Sequence, residues 1–247
     1  MRRPLLLTAL GLLLFLIFAV VLWPASIAVS WLVPGGASLA GVTGTVWEGS
    51  ASQVRIGIVD VGSLRWDARP ASFLLGRPSW DLKAERPDGF VSGNVILRGS
   101  TDVQAVDLKI AATLRSLSSW INLAGTDGNL SVAISELRLE SGQLTRFGGL
   151  AVIDSVKPMG LRDVDLGSIE IDIPADQSGP FQGVVRALDG PLLIEQGRID
   201  LQPDGRFVVD GLVAAKPDAP QEIVQGLQFL GQEDSRGFRR FSQQGSL

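Results

Sequence analysis

Two pairs of carboxylates, Asp163 with Asp165 and Glu170 with Asp172, are the residues of this chain best spaced for chemistry. Residues i and i+2 of a strand project from one face, so each pair can offer two acidic groups side by side to a cation or a proton. Both pairs alternate with apolar residues, Val164 and Leu166 or Ile171 and Ile173. That is where a half-buried sheet carries its solvated charge. The solvated reading is the stronger, and no catalytic, cofactor-binding or metal-binding residue is assigned.

Composition closes most other routes to chemistry. The 247 residues include no histidine, cysteine or tyrosine. Ser-His-Asp and Cys-His nucleophile systems, Cys/His zinc sites, disulfides and tyrosine general acids therefore cannot be built. The serines of 49–52 and of 62–64 have no histidine to activate them, and the lysines stand in no nucleophile motif. Gly35-Gly36 and Gly148-Gly149 lack the context of a phosphate loop. An enzyme is not expected, nor is a cofactor. Nucleic acid is not an expected partner either: 22 basic residues are scattered among 26 acidic ones, for a formal net charge of -4, and form no dense stripe.

The elements that carry these residues begin with an uncharged run from Pro4 to Trp47. Within it, 5–23 (LLLTALGLLLFLIFAVVLW) is 19 residues long, and as a helix it measures about 28 Å, close to the hydrocarbon thickness of a bilayer. The reading is a cytoplasmic start at 1–4, a transmembrane helix at 5–23 and an interfacial segment at 24–36. Arg2 and Arg3 put the N-terminus in the cytoplasm, and Trp23 and Trp31 suit the interface. A cleaved signal peptide is the competing reading, with Ala25 and Ala28 as its small residues, although the apolar run exceeds a usual signal core.

From 37 to 230 the pattern is that of an antiparallel sheet. Leu64, Trp66 and Ala68 alternate with Arg65, Asp67 and Arg69, and Trp80, Leu82 and Ala84 alternate with Asp81, Lys83 and Glu85. Trp66 and Trp80 are therefore expected inward. A strand is expected over 53–59, then a Gly62-Ser63 turn. Pro87-Asp88-Gly89 and Gln202-Pro203-Asp204-Gly205 are turn sequences. The two Pro-Asp-Gly regions, 80–98 and 197–215, read as a weak duplication of curved hairpins, with turn chemistry reused in unrelated hairpins as the alternative. Gly93 and Gly211 mark bulges or relieve bending, and the apolar register slips at Glu136. Trp120 fits a core or an exposed edge. A helix is expected over 220–230 and a polar tail over 231–247. The fold class is mainly β: an N-terminal transmembrane helix, then a strongly curved antiparallel sheet with one or two short helices.

Certain of these residues resemble a known family. Pro24 to Trp31, then Gly41, Gly44, Thr45, Val46, Trp47, Gly49, Ser50 and Ala51, follow the opening pattern of type II secretion system protein N. Leu64, Trp66, Pro70, Leu74, Leu75 and Gly76 continue it, as do GRIDLQPDGR at 197–206 and the late Leu227, Leu230 and Gly231. The resemblance covers nearly the whole chain. It implies an accessory, single-pass inner-membrane component of the machine that exports folded proteins, with its β domain in the periplasm and other secretion-system proteins as partners. The curved-sheet pattern is also similar to lipid-handling grooves, which makes a hydrophobic-ligand or lipid-binding domain the alternative.

Overall fold

The computed structural model describes residues 2–32, 37–57, 59–99, 102–117, 126–158 and 164–246. The chain divides into two compact units, Met1–Arg86 and Pro87–Leu247.

The first unit contains α1 (Arg2–Val21), α2 (Ala25–Leu32), β1 (Ala37–Ala40), β2 (Thr43–Gly44), β3 (Glu48–Ile56), β4 (Val59–Ala68), α3 (Pro70–Leu74) and β5 (Ser79–Arg86). Its strands pair antiparallel in the order β1-β3-β4-β5, with β2 beside β3. Pro24 stands in the short break between α1 and α2 and forms a bridge with Thr45. The alternation over 64–68 and 80–84 holds, with Ala68 and Ala84 buried and Arg65, Lys83 and Glu85 exposed. The Gly62-Ser63 turn is corrected: both residues lie inside β4, and β3 ends before Gly57. Gly62 has φ +87°, and a β-carbon there would lie 2.3 Å from the Glu85 carbonyl oxygen. It therefore serves an irregular stretch of the β3–β4 pairing.

The span expected over 5–23 does not appear as such. Among the described residues no helix is long and apolar enough to cross a membrane. Side chains of α1 are described from Leu10 onward, and Leu10 to Val21 measures only about 18 Å. Over that stretch every side chain is exposed, Leu12 to 60 %, Phe15 to 67 % and Phe18 to 61 %.

The second unit contains β6 (Gly89–Leu97), β7 (Val103–Thr113), α4 (Leu114–Leu117), β8 (Asp127–Glu140), β9 (Gln143–Lys157) and β10 (Ile169–Ile173). There follow β11 (Phe181–Ala187), β12 (Leu192–Leu201), β13 (Arg206–Ala215), α5 (Gln221–Leu227), a 3-10 turn at Gln228–Leu230, and β14 (Arg239–Ser246). The strands form an antiparallel sheet in chain order that does not close. The mainly β class with few short helices is as expected.

Several local expectations hold here. Register shifts occur between Ile134 and Glu136 and between Ser92 and Asn94, around Gly93. The 202–206 turn closes with the Gln202 N–H donating to the Arg206 carbonyl at 2.7 Å. Gly211 keeps its register with Phe241; it lies against Gly197, in the bulge of the neighbouring β12. The helix expected over 220–230 is α5 with its 3-10 extension. The stretch 231–247, expected as a polar tail, carries β14, paired along its whole length with β13. Main-chain pairing makes this strand, and its only large apolar residue is Phe241, so no alternation betrays it. Trp120 lies outside the described residues.

One face of the second sheet collects the core. Phe207, Val209, Val213 and Ala215 of β13 share that face, and Phe207 and Val209 stand opposite Leu201 and Ile199 while Val213 and Ala215 stand opposite Ile194 and Leu192. The β12 side of this set changes parity along the strand. A register shift between Glu195 and Arg198, with Gln196 at φ 51°, inserts the extra residue that keeps both halves facing the same way. At one end Val164, Leu192, Val213 and Ile223 form a buried cluster, so α5 covers that half. At the other end Leu144, Ile173, Phe181 and Leu201 are buried together.

Candidate functional site

Three of the four acids singled out by spacing can be placed in the structure. Asp163 lies outside the described residues. Asp165 accepts the Gly167 N–H at 2.8 Å, a turn-forming bond. Glu170 and Asp172 lie on β10 opposite its isoleucine face, and Glu170 pairs with Arg186 at 3.3 Å. Among the described residues no group of three acids can hold a metal ion. The acids whose ionisation is altered are also turn or strand partners. The Gln53 side-chain amide, then the Gly62 N–H, holds the Asp60 carboxyl below its ordinary range. The Phe238 and Arg236 N–H groups do the same for Asp234.

Three features remain. The first is an aromatic knot in the first unit, built from the tryptophans and glycines of the sequence motif. Trp47 donates its indole N–H to the Val20 carbonyl of α1 at 2.8 Å. Trp66 donates to the Thr45 carbonyl at 3.0 Å and Trp80 to the Val46 carbonyl at 3.2 Å. The Val46 N–H in turn donates to the Trp23 carbonyl at 3.1 Å. Phe73 of α3 sits edge-on between Trp47 and Trp80, with ring centroids 4.9 and 5.1 Å away. Gly49 is required here, because its β-carbon would lie 2.4 Å from the Trp66 ring. The inward orientation expected for Trp66 and Trp80 holds, but both are half-buried. Sequence reasoning found these tryptophans and missed what they hold: the last turn of α1.

The second feature is an apolar cleft of about 230 Å³ on the uncovered half of the second sheet's core face. Val132, Phe147, Ile171, Ile173, Ile199 and Val209 are among its walls. Gly183 of β11 lies against two of these walls, Ile173 and Ile199. A β-carbon there would lie 2.5 Å from Ile173 Cγ1 and 2.9 Å from Ile199 Cγ2, so side chains of β10 and β12 close over β11. Only glycine at this position leaves room for both side chains. The third feature is β14, whose outer edge pairs with no strand among the described residues and carries a single bridge, from Glu233 to Arg239 at its start. That edge is polar, with Arg240, Gln243 and Gln244 exposed.

The sequence model of one family, the type II secretion system (T2SS) protein N, matches residues 35–242. The chain belongs to the type II secretion system protein N family. Its relatives include the type II secretion system protein N of Vibrio cholerae, 26 % identical with 91 % of each chain covered. The protein of the same name from Aeromonas hydrophila is 25 % identical over 96 % of each chain. That of Klebsiella pneumoniae is 24 % identical, over 81 % of this chain and 80 % of its own. No solved structure matches. Membership makes the chain a type II secretion component, and the resemblance carried by Trp47, Trp66 and Gly76 pointed to the right family.

Proposed function

We propose that this chain is an accessory, non-enzymatic component of the type II secretion machine, tethered at the inner membrane by α1 and acting in the periplasm through protein-protein contacts. The observation that carries the contact mode is β14. An edge strand of eight residues leaves main-chain N–H and carbonyl groups for a partner strand to pair with. Its polar side chains keep the edge soluble when no partner is present. The tether is supported by the apolar side chains of α1, which over Leu10 to Val21 are exposed all around the helix. Arg2 and Arg3 favour a cytoplasmic N-terminus.

The apolar cleft favours a second reading, a lipid or hydrophobic-ligand groove. Its volume of about 230 Å³ lies below the roughly 300 to 1,000 Å³ usual for small-molecule pockets. A short length of acyl chain, not a whole lipid, is the size of guest it takes. Protein contact is therefore the first reading.

Because the chain has no cysteine, a single introduced cysteine is its one point of attachment for a crosslinker. Photo-crosslinkers attached at Gln243→Cys on β14 and at Val132→Cys in the cleft, in cells that assemble the machine, test both readings. Crosslinks from position 243 to another secretion subunit support the first. Lipid adducts from position 132, with no protein product from 243, replace it with the second.

A further inference from the structure

Leu74 and Leu75 are 90 % and 77 % exposed. They are adjacent, and the turn that presents them is firmly built. The Ser72 hydroxyl donates to the Arg69 carbonyl at 2.6 Å and accepts the Ser79 N–H at 3.0 Å. The Arg77 N–H donates to the Ser72 carbonyl at 2.9 Å. Gly76, at φ +67°, reverses the chain directly after the leucines. Phe73 points the other way, into the aromatic knot. The protein thus holds two leucines out in solvent on a rigid turn, where a mobile loop would fold them against its own surface.

Their position gives them a partner. The Phe73 ring touches the Trp47 ring, and Trp47 holds the carbonyl of Val20, in the last turn of α1. One aromatic ring therefore separates α3 from the C-terminal end of α1, inside the same unit. Val20 lies three residues before Trp23, whose side chain is 44 % exposed. The Val20 carbonyl points along α1 toward its C-terminal end, so Trp47 and α3 stand at the level of the helix end, where Trp23 suits the membrane interface. There an exposed leucine meets the boundary of headgroups and acyl chains, and the exposed Arg77 nearby meets lipid phosphate.

We infer that the turn at Leu74-Leu75 is a second membrane contact, an apolar wedge that enters the outer half of the bilayer interface beside the end of α1. The inference rests on the tether reading. Two contacts on one rigid knot also fix the tilt of the first unit against the membrane, which a single helix leaves free.

The full-length chain in phosphatidylethanolamine–phosphatidylglycerol vesicles tests it, with an environment-sensitive dye on single cysteines and lipids spin-labelled near the headgroup or deep in the acyl chain. A dye at Leu75→Cys should shift to the blue and be quenched chiefly by the shallow label. At Leu16→Cys it should be quenched by the deep label. If position 16 is quenched and position 75 by neither label, the wedge is overturned and the tether stands. An unquenched position 16 overturns both. A dye at Ala71→Cys excludes insertion driven by the dye on position 75 itself: it should be shielded in the natural background and released to water in a Leu74→Asp, Leu75→Asp variant. No change between those two backgrounds also overturns the wedge.

Discussion

The two units hold together by different means. In the first, the buried residues are small: Ala25, Ala51, Val54, Ala68, Ser79 and Ala84. The rings of Trp47, Trp66, Phe73 and Trp80 are half-buried, and each of the three indoles is anchored by a hydrogen bond to a main-chain carbonyl. In the second, the buried set contains Phe181 at 0 % exposure and Leu201 at 2 %, and the clusters are aliphatic and aromatic. The first unit is thus oriented by directional bonds between thin layers, the second stabilised by area removed from water. A unit that must hold a helix end at a set angle gains more from direction than from volume.

The comparison can be broken by substitution. Phe181→Ala should cost about 3 to 5 kcal/mol, and hydrogen exchange should show it in β11 and β12 while the first unit's amides stay protected. Equal loss in both units would mean that they do not unfold separately. Trp66→Ala, at a half-buried site, should fall lower, about 2 to 3 kcal/mol. Trp66→Phe should lose about 1 kcal/mol, the share of the indole hydrogen bond. If Trp66→Phe is as damaging as Trp66→Ala in urea unfolding, the directional bond outweighs the buried ring at this site. Gly183→Val sharpens the second half of the comparison. Its β-carbon would meet the Asp172 carbonyl oxygen at 2.5 Å, so destabilisation of about 1 to 3 kcal/mol is expected, together with loss of apolar-dye binding in the cleft.

The smallest effect is acid sensitivity. Asp60 in the first unit and Asp234 in the second have carboxyls held below the ordinary 3.8 by hydrogen bonds made only in the folded chain. A lowered folded value means that the carboxylate's stabilisation is complete above the unfolded value and disappears as pH falls through the folded one. Both turns should keep their exchange protection from neutrality to about pH 4 and lose some of it below. Asp234→Asn should flatten that acid limb for 234–238 alone; an unchanged limb would assign the effect to other groups.

Much of this was legible in the residues. Strict alternation identified β4 and β5, because one face must be dry and the other wet. Proline, aspartate and glycine marked the 202–206 turn through their backbone preferences, and the break in apolar parity at Glu136 marked a register shift. What escaped notice was whatever depends on main-chain partners at a distance. β14 is a strand because β13 lies beside it, and its sequence of arginine, serine and glutamine states no face. The use of Trp47 as a clamp on Val20 requires two segments 27 positions apart to meet, and no local pattern encodes that meeting. For the carboxylate pairs, the solvated assignment came from their apolar neighbours; Glu170 and Asp172 are half-buried, and Glu170 is ion-paired with Arg186.

The extra residue in β12, at Gln196 and Gly197, bears on how this sequence can change over time. Side chains upstream and downstream of it face the same way only because one position is spent on the bulge. Losing that position would rotate one half of the strand by half a turn, sending Leu192 and Ile194, or Ile199 and Leu201, to the water side. Length variation among descendants of this chain should therefore gather in turns such as 202–206 and spare residues 195–198, whatever amino acids come to occupy them.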